Sequence, residues 1–174
     1  MSRRTALIFL PLLAITLALP LGWLWLGQGN TQAGPHELVG EEVAADTMVV
    51  FMSPHCGCCG DWVAHLEENG FAVERRKTDQ VNLIKQQAGL PRELVSCHTG
   101  FINGYLIEGH VPASDIQRLL RETPRASGLS VPGMPTGSPG MEMPGAGRDA
   151  FDVVLFHADG QREVYNSYPA TSAL

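Results

Sequence analysis

The sequence predicts an α/β domain, a mixed sheet flanked by helices, over residues 47–168. Three observations carry that expectation. A short apolar run, Met48-Val-Val-Phe-Met52, leads straight into a helical pattern. A second strand-like stretch follows that helix, so the first two strands should be parallel. Further on, Asn103-Gly104 stands between two apolar runs, the signal of a type I′ hairpin.

Each element has its own warrant. Met48–Met52 is continuous in apolar character, as a strand buried on both faces is, and Ser53-Pro54 stops it. Cys59, Trp62, Val63 and Leu66 recur at helical spacing, and Asn69-Gly70 closes that helix. Residues 71–78 alternate and read as the second strand. Asp79 is placed to cap a helix with Val81, Ile84 and Ala88 on one face, ended by Gly89 and Pro91. After the Asn103-Gly104 hairpin, Ser114 or Asp115 opens a last helix with Ile116, Leu119 and Leu120 inward, ended by Thr123-Pro124.

Residues 124–149 hold five prolines and six glycines with no hydrophobic period, and are expected to form a long Gly/Pro/Met-rich loop. A second hairpin over 151–166 extends the sheet, and the chain should fray from Ser167, with 169–174 a tail. Strand, helix, strand, helix, hairpin, helix is the order of a thioredoxin-like domain. That fold keeps its chemistry where the first strand meets the first helix.

The amino-terminal segment points to export. Arg3 and Arg4 precede a run, Ala6 to Leu26, in which Thr16 is the only clearly polar side chain. Residues 1–33 are either a signal peptide cleaved near Thr31-Gln32-Ala33 or an uncleaved inner-membrane anchor with Trp23 and Trp25 at the interface. Both place the remainder outside the membrane, in an oxidising compartment, and membrane contact is expected only through an uncleaved segment. Residues 34–46 read as a polar linker. The full chain has a formal charge of −6. Without 1–33 it holds 10 basic and 18 acidic side chains, or −8, which argues against nucleic acid and for cations as partners.

Of the four cysteines, Cys56, Cys58 and Cys59 lie within four residues and Cys97 stands apart. Cys56 and Cys59 have C-x-x-C spacing at a helix start, where unpaired N–H groups favour thiolate, so they are a candidate redox pair. Adjacent cysteines do not readily reach disulfide geometry, so Cys58 is not explained by pairing with Cys59. Counting back from the hairpin puts Cys97-His98 where such domains keep a cis-proline facing the C-x-x-C. Four sulfurs and one imidazole are then expected to converge. The spacing is not that of a zinc knuckle. Thiolates with nearby thioethers favour Cu(I), and crowded sulfurs suit more than one bridged ion.

Four stretches together resemble the CopG-like periplasmic copper-resistance family, long described as a domain of unknown function. They are Met52-Ser-Pro-His-Cys-Gly-Cys-Cys-Gly-Asp-Trp62, Ser96-Cys-His-Thr99, Glu108-Gly-His-Val-Pro-Ala113 and Val131–Glu142. The resemblance covers about residues 47–166. It implies a thioredoxin-like fold, several copper ions bound through Cys56, Cys58, Cys59 and Cys97, and a role in copper redox or sequestration.

The remaining ligand candidates are weaker. His98 adjoins Cys97, but neighbouring strand residues point to opposite faces. His55 adjoins Cys56, and His110 precedes a helix. Met134 and Met141 lack a core period and fit thioether ligands or a lid, Met143 less so. His65 and His157 are expected to be structural or surface residues, and Met48, Met52 and Trp62 to be core.

The function that follows is an exported copper-binding protein of copper resistance that holds Cu(I) through Cys56, Cys58, Cys59 and Cys97; a redox variant of it has copper cycling between Cu(I) and Cu(II) as Cys56 and Cys59 pass between dithiol and disulfide. A thiol–disulfide oxidoreductase acting on proteins is the alternative. A third reading is a binding module that passes copper to other copper-handling proteins.

Overall fold

The computed structural model describes residues 34–40, 43, 44 and 46–173. The predicted leader, residues 1–33, lies outside the described residues, and among these no helix is long and apolar enough to cross a membrane.

The elements are α1 (Pro35–Val39), β1 (Thr47–Met52), α2 (Gly57–Glu68), β2 (Ala72–Lys77), α3 (Val81–Gln87), a 3₁₀ turn (Arg92–Leu94), β3 (Thr99–Ile102), β4 (Tyr105–Glu108), α4 (Ala113–Glu122), β5 (Gly128–Ser130), β6 (Phe151–Phe156) and β7 (Arg162–Tyr168). The strands form one seven-stranded sheet in the order β2-β1-β3-β4-β5-β6-β7. β1 pairs with β2 in parallel and with β3 antiparallel. The β3–β4 hairpin turns at Asn103 and Gly104, both at positive φ (47° and 81°), as a type I′ turn requires. The mixed α/β fold is therefore the predicted one, with its elements in thioredoxin-like order.

β1 shows why its sequence is apolar throughout. Met48, Val50 and Met52 enter one core with Trp62, Val63 and Leu66 of α2 and Ile116 and Leu119 of α4. Val49 and Phe51 enter the other, with Leu90, Leu94, Phe101 and the flank of α3. The end of β1 is thus clamped between two layers, and the cysteine-bearing turn follows directly.

Four expectations are corrected. The stretch 124–149 is not all loop, since residues 128–130 form β5, parallel to β4 and antiparallel to β6. A three-residue strand is too short to show a period. Gly128 permits it, because a Cβ there would lie 1.8 Å from the Leu106 carbonyl oxygen. The chain does not fray from Ser167. β7 runs to Tyr168, whose hydroxyl, with Asn166 Nδ2, donates to the buried Asp115 carboxylate of α4, and Thr171 bridges Arg148. The linker contains α1, and Leu38, Val39 and Val43 pack on the second core. Helix starts also move: Gln80, not Asp79, precedes α3, and α4 opens at Ala113 after Pro112.

Candidate metal centre

The site forms where β1 hands over to α2. Cys56 is the residue before α2, and Cys58 and Cys59 occupy its first turn. Cys59 is fully buried because it begins the apolar stripe of Trp62, Val63 and Leu66. Cys56 and Cys59 are joined by a disulfide, with Cα atoms 5.5 Å apart. Cys58 and Cys97 are free thiols, both half-buried. Cys58 Sγ lies 3.5 Å from Cys56 Sγ, and the four sulfurs all lie within 4.8 Å of one another. The segment before β3 brings Cys97 across to them.

A second donor group shares Cys97. Its Sγ is 3.1 Å from His98 Nδ1 and 3.1 Å from His110 Nε2. The strand alternation expected to separate Cys97 from His98 does not operate, because both precede β3. His110 Nδ1 lies 2.8 Å from the Pro139 carbonyl oxygen, which can only accept, so Nδ1 carries the proton and Nε2 faces Cys97 with its lone pair. His98 is fully buried against Trp62 (ring centroids 4.2 Å apart), and its Nε2 has no hydrogen-bond partner among the described residues.

Burial sets the protonation of this group. It pushes the Cys97 thiol up to about 12, with the nearby Cys58 adding to the rise. It holds His98 well below the ordinary histidine value, helped by His110 and Lys85. It also lowers His110, against the opposing effects of the Pro139 carbonyl and Glu142. The site thus holds a neutral thiol and neutral imidazoles. A soft cation would displace the thiol proton and take the lone pairs of the two imidazole nitrogens that face Cys97, so the donor set fits a thiophilic metal such as copper.

Not every predicted ligand joins. His55 is exposed and lies outside both donor groups. Met134 and Met143 are exposed, and Met141 is half-buried. The loop that carries them is nonetheless seated on the site. Gly140, at φ +81°, lies against the first turns of α2, and a Cβ there would come within 2.5 Å of the Trp62 nitrogen. Trp62 itself is core, its indole N–H donating to Val111 O at 2.9 Å. His65 accepts from the Ala113 N–H at 3.1 Å, a structural role at the start of α4.

One feature escaped the sequence. Behind Cys97, Lys85 Nζ donates to Glu108 Oε1 at 2.5 Å and to Thr99 Oγ1 at 2.7 Å. The same carboxylate accepts from the Ser96 N–H at 2.6 Å and from Thr99 Oγ1 at 2.7 Å. Lys85 and Glu108 are 4% and 0% exposed. Burial lowers the Lys85 pKa and raises that of Glu108, and their ion pair opposes both shifts. The signal was present: Lys85 sits four residues after Val81, on the buried face of α3.

Fold and site together define a mixed α/β domain with a sulfur-rich, imidazole-flanked candidate metal centre. The family described as "Protein of unknown function, DUF411" matches residues 94–141, from just before Cys97 to Met141. Two solved structures, both titled as the copper resistance protein CopG, are similar over nearly their whole length. Form 1 is 46% identical, covering 72% of this chain and 99% of its own, with a TM-score of 0.68. Form 2 is 46% identical, covering 71% and 98%, with a TM-score of 0.67. No curated protein sequence matches the chain. The chain belongs to the CopG-like copper-resistance family.

Proposed function

We propose that this protein is an exported, periplasmic copper-binding protein of copper resistance. It holds Cu(I) as cargo through Cys56, Cys58, Cys59 and Cys97, with His98 and His110 as further ligands and more than one ion per chain. His55, Met134 and Met141 rank below these, since His55 and Met134 are exposed. The observation that carries the reading is the convergence of four sulfurs within 4.8 Å. Thiolate softness favours Cu(I), and sulfurs this close suit bridged ions.

The same residues support a redox variant. Reducing the Cys56–Cys59 disulfide takes two electrons and two protons, which matches two Cu(I) ions becoming two Cu(II). The test is anaerobic reconstitution of the reduced protein with Cu(I), followed by metal analysis of the wild type and of each Cys→Ser variant. More than one copper per chain in the wild type, falling in every variant, is the expected result. Substoichiometric copper in the wild type would sink the reading.

A second reading, a thiol–disulfide oxidoreductase acting on proteins, is favoured by the Cys56–Cys59 disulfide at the start of α2. Insulin reduction by metal-free protein separates the two. Turnover that persists in Cys58→Ser would support the oxidoreductase.

A further inference from the structure

A cleft of about 320 Å³ is lined by Cys56, Gly57, Gly60, Arg75 and Lys77, among others, and not by the buried Cys59. Cys56 is half-buried and borders this cleft, whereas Cys59 has no exposed surface. An incoming thiolate therefore reaches the disulfide at Cys56. The cleft has the size of a small-molecule site and is open where side chains would obstruct it: a Cβ on Gly57 or Gly60 would meet nothing within 4 Å.

Its charge is the second observation. Arg75 and Lys77 come from β2, an edge strand of the sheet. Glu67 pairs with Arg75 at 2.6 Å and offsets part of its charge, and Lys77 is exposed. Two cations in the cleft that Cys56 lines are notable in a chain whose net charge is −6. Opposite charge in a cleft raises the local concentration of a ligand, and like charge lowers it.

We propose that this cleft receives the electron donor of the site, and that the donor is a small thiol bearing carboxylates. The proposal rests on the redox variant above. Its chemistry balances with two donor molecules. The first thiolate attacks Cys56 Sγ, the Cys56–Cys59 bond breaks, and Cys59 leaves as thiolate and takes up a proton. The second thiolate attacks the donor sulfur of the mixed disulfide. It releases Cys56 as a thiol and forms the donor's own disulfide. Two thiols are oxidised and one protein disulfide is reduced.

The test uses metal-free, oxidised full chain, with glutathione and cysteamine as probes, compared at equal thiolate concentration. Reduction is followed by alkylation and mass analysis. Glutathione should be about tenfold faster than cysteamine at low salt, the gap closing as salt rises. Lys77→Glu should erase or reverse the preference. Gly60→Leu, which extends into open space from a helical position, should slow both thiols with α2 intact by circular dichroism. Equal rates for the two thiols, or a preference untouched by Lys77→Glu, would overturn the donor class and leave the redox reading standing. Absence of the Cys56–Cys59 disulfide from the peptide map of the oxidised protein would overturn both.

Discussion

Cys97 Sγ and His110 Nε2 lie 3.1 Å apart, and the Pro139 carbonyl, 2.8 Å from the other ring nitrogen, fixes which nitrogen faces the sulfur. The pairing joins the segment before β3 to the turn before α4, with the glycine- and proline-rich loop behind it. A histidine held this way is oriented before any metal arrives. His110→Ala should weaken Cu(I) binding by about 10–100-fold, measured by competition with a chromophoric chelator. An affinity equal to wild type would show that the imidazole has no part in binding.

The Lys85–Glu108 pair should reveal itself through stability. Lys85→Met leaves a buried carboxylate without its cation and should cost about 3–5 kcal/mol in urea unfolding. Lys85→Met with Glu108→Gln removes both charges, keeps an acceptor oxygen for the Ser96 N–H and turns an amide N–H toward the Thr99 hydroxyl, which can accept it. It should cost clearly less than the single change. Equal losses would mean that the charges are not coupled.

His65 supplies a pH dependence away from the cysteines. Burial lowers its pKa from 6.5, against the pull of Glu142 and Glu68. The unfolded chain therefore takes up the proton first as pH falls. The His65 contribution is fully present above pH 6.5 and is lost as pH drops through the lower, folded value. His65→Gln keeps an acceptor for the Ala113 N–H but cannot titrate. The melting temperature of the variant should fall less steeply than that of wild type as pH drops below 6.5. Parallel curves would remove His65 from the account.

Thr123 ends α4 at φ 44°, a left-handed conformation that a β-branched residue adopts at a cost. It is exposed, and its N–H bonds to Leu119 O at 2.8 Å. Thr123→Gly should raise stability by about 1 kcal/mol, read as a shift in urea midpoint with an unchanged slope. A lower midpoint would contradict the strain.

Legibility in the sequence followed the range of the interactions. β1, α2 and the Asn103-Gly104 turn depend on neighbours a few residues apart, and their periods and turn residues were plain. The sulfur cluster was legible because three of its members are local and the fourth sits at a fixed offset from the hairpin. β5 was not, since three residues inside a proline- and glycine-rich stretch carry no period. Neither was the Lys85–Glu108 contact, which spans 23 residues and shows in sequence only as a charge on an apolar face. The place of His98 was not legible either, because strand alternation begins only at Thr99, the residue after it. The seating of Asn166 and Tyr168 on Asp115 rests on partners about fifty residues away.

The donors come from residues 56–59, 97–98 and 110. An unfolded chain carries only the local Cys-Gly-Cys-Cys triplet, and tertiary structure adds Cys97 and both imidazoles. Under the proposed function, affinity for the cargo would therefore report on conformational integrity, because a half-folded copy would offer only the local donors.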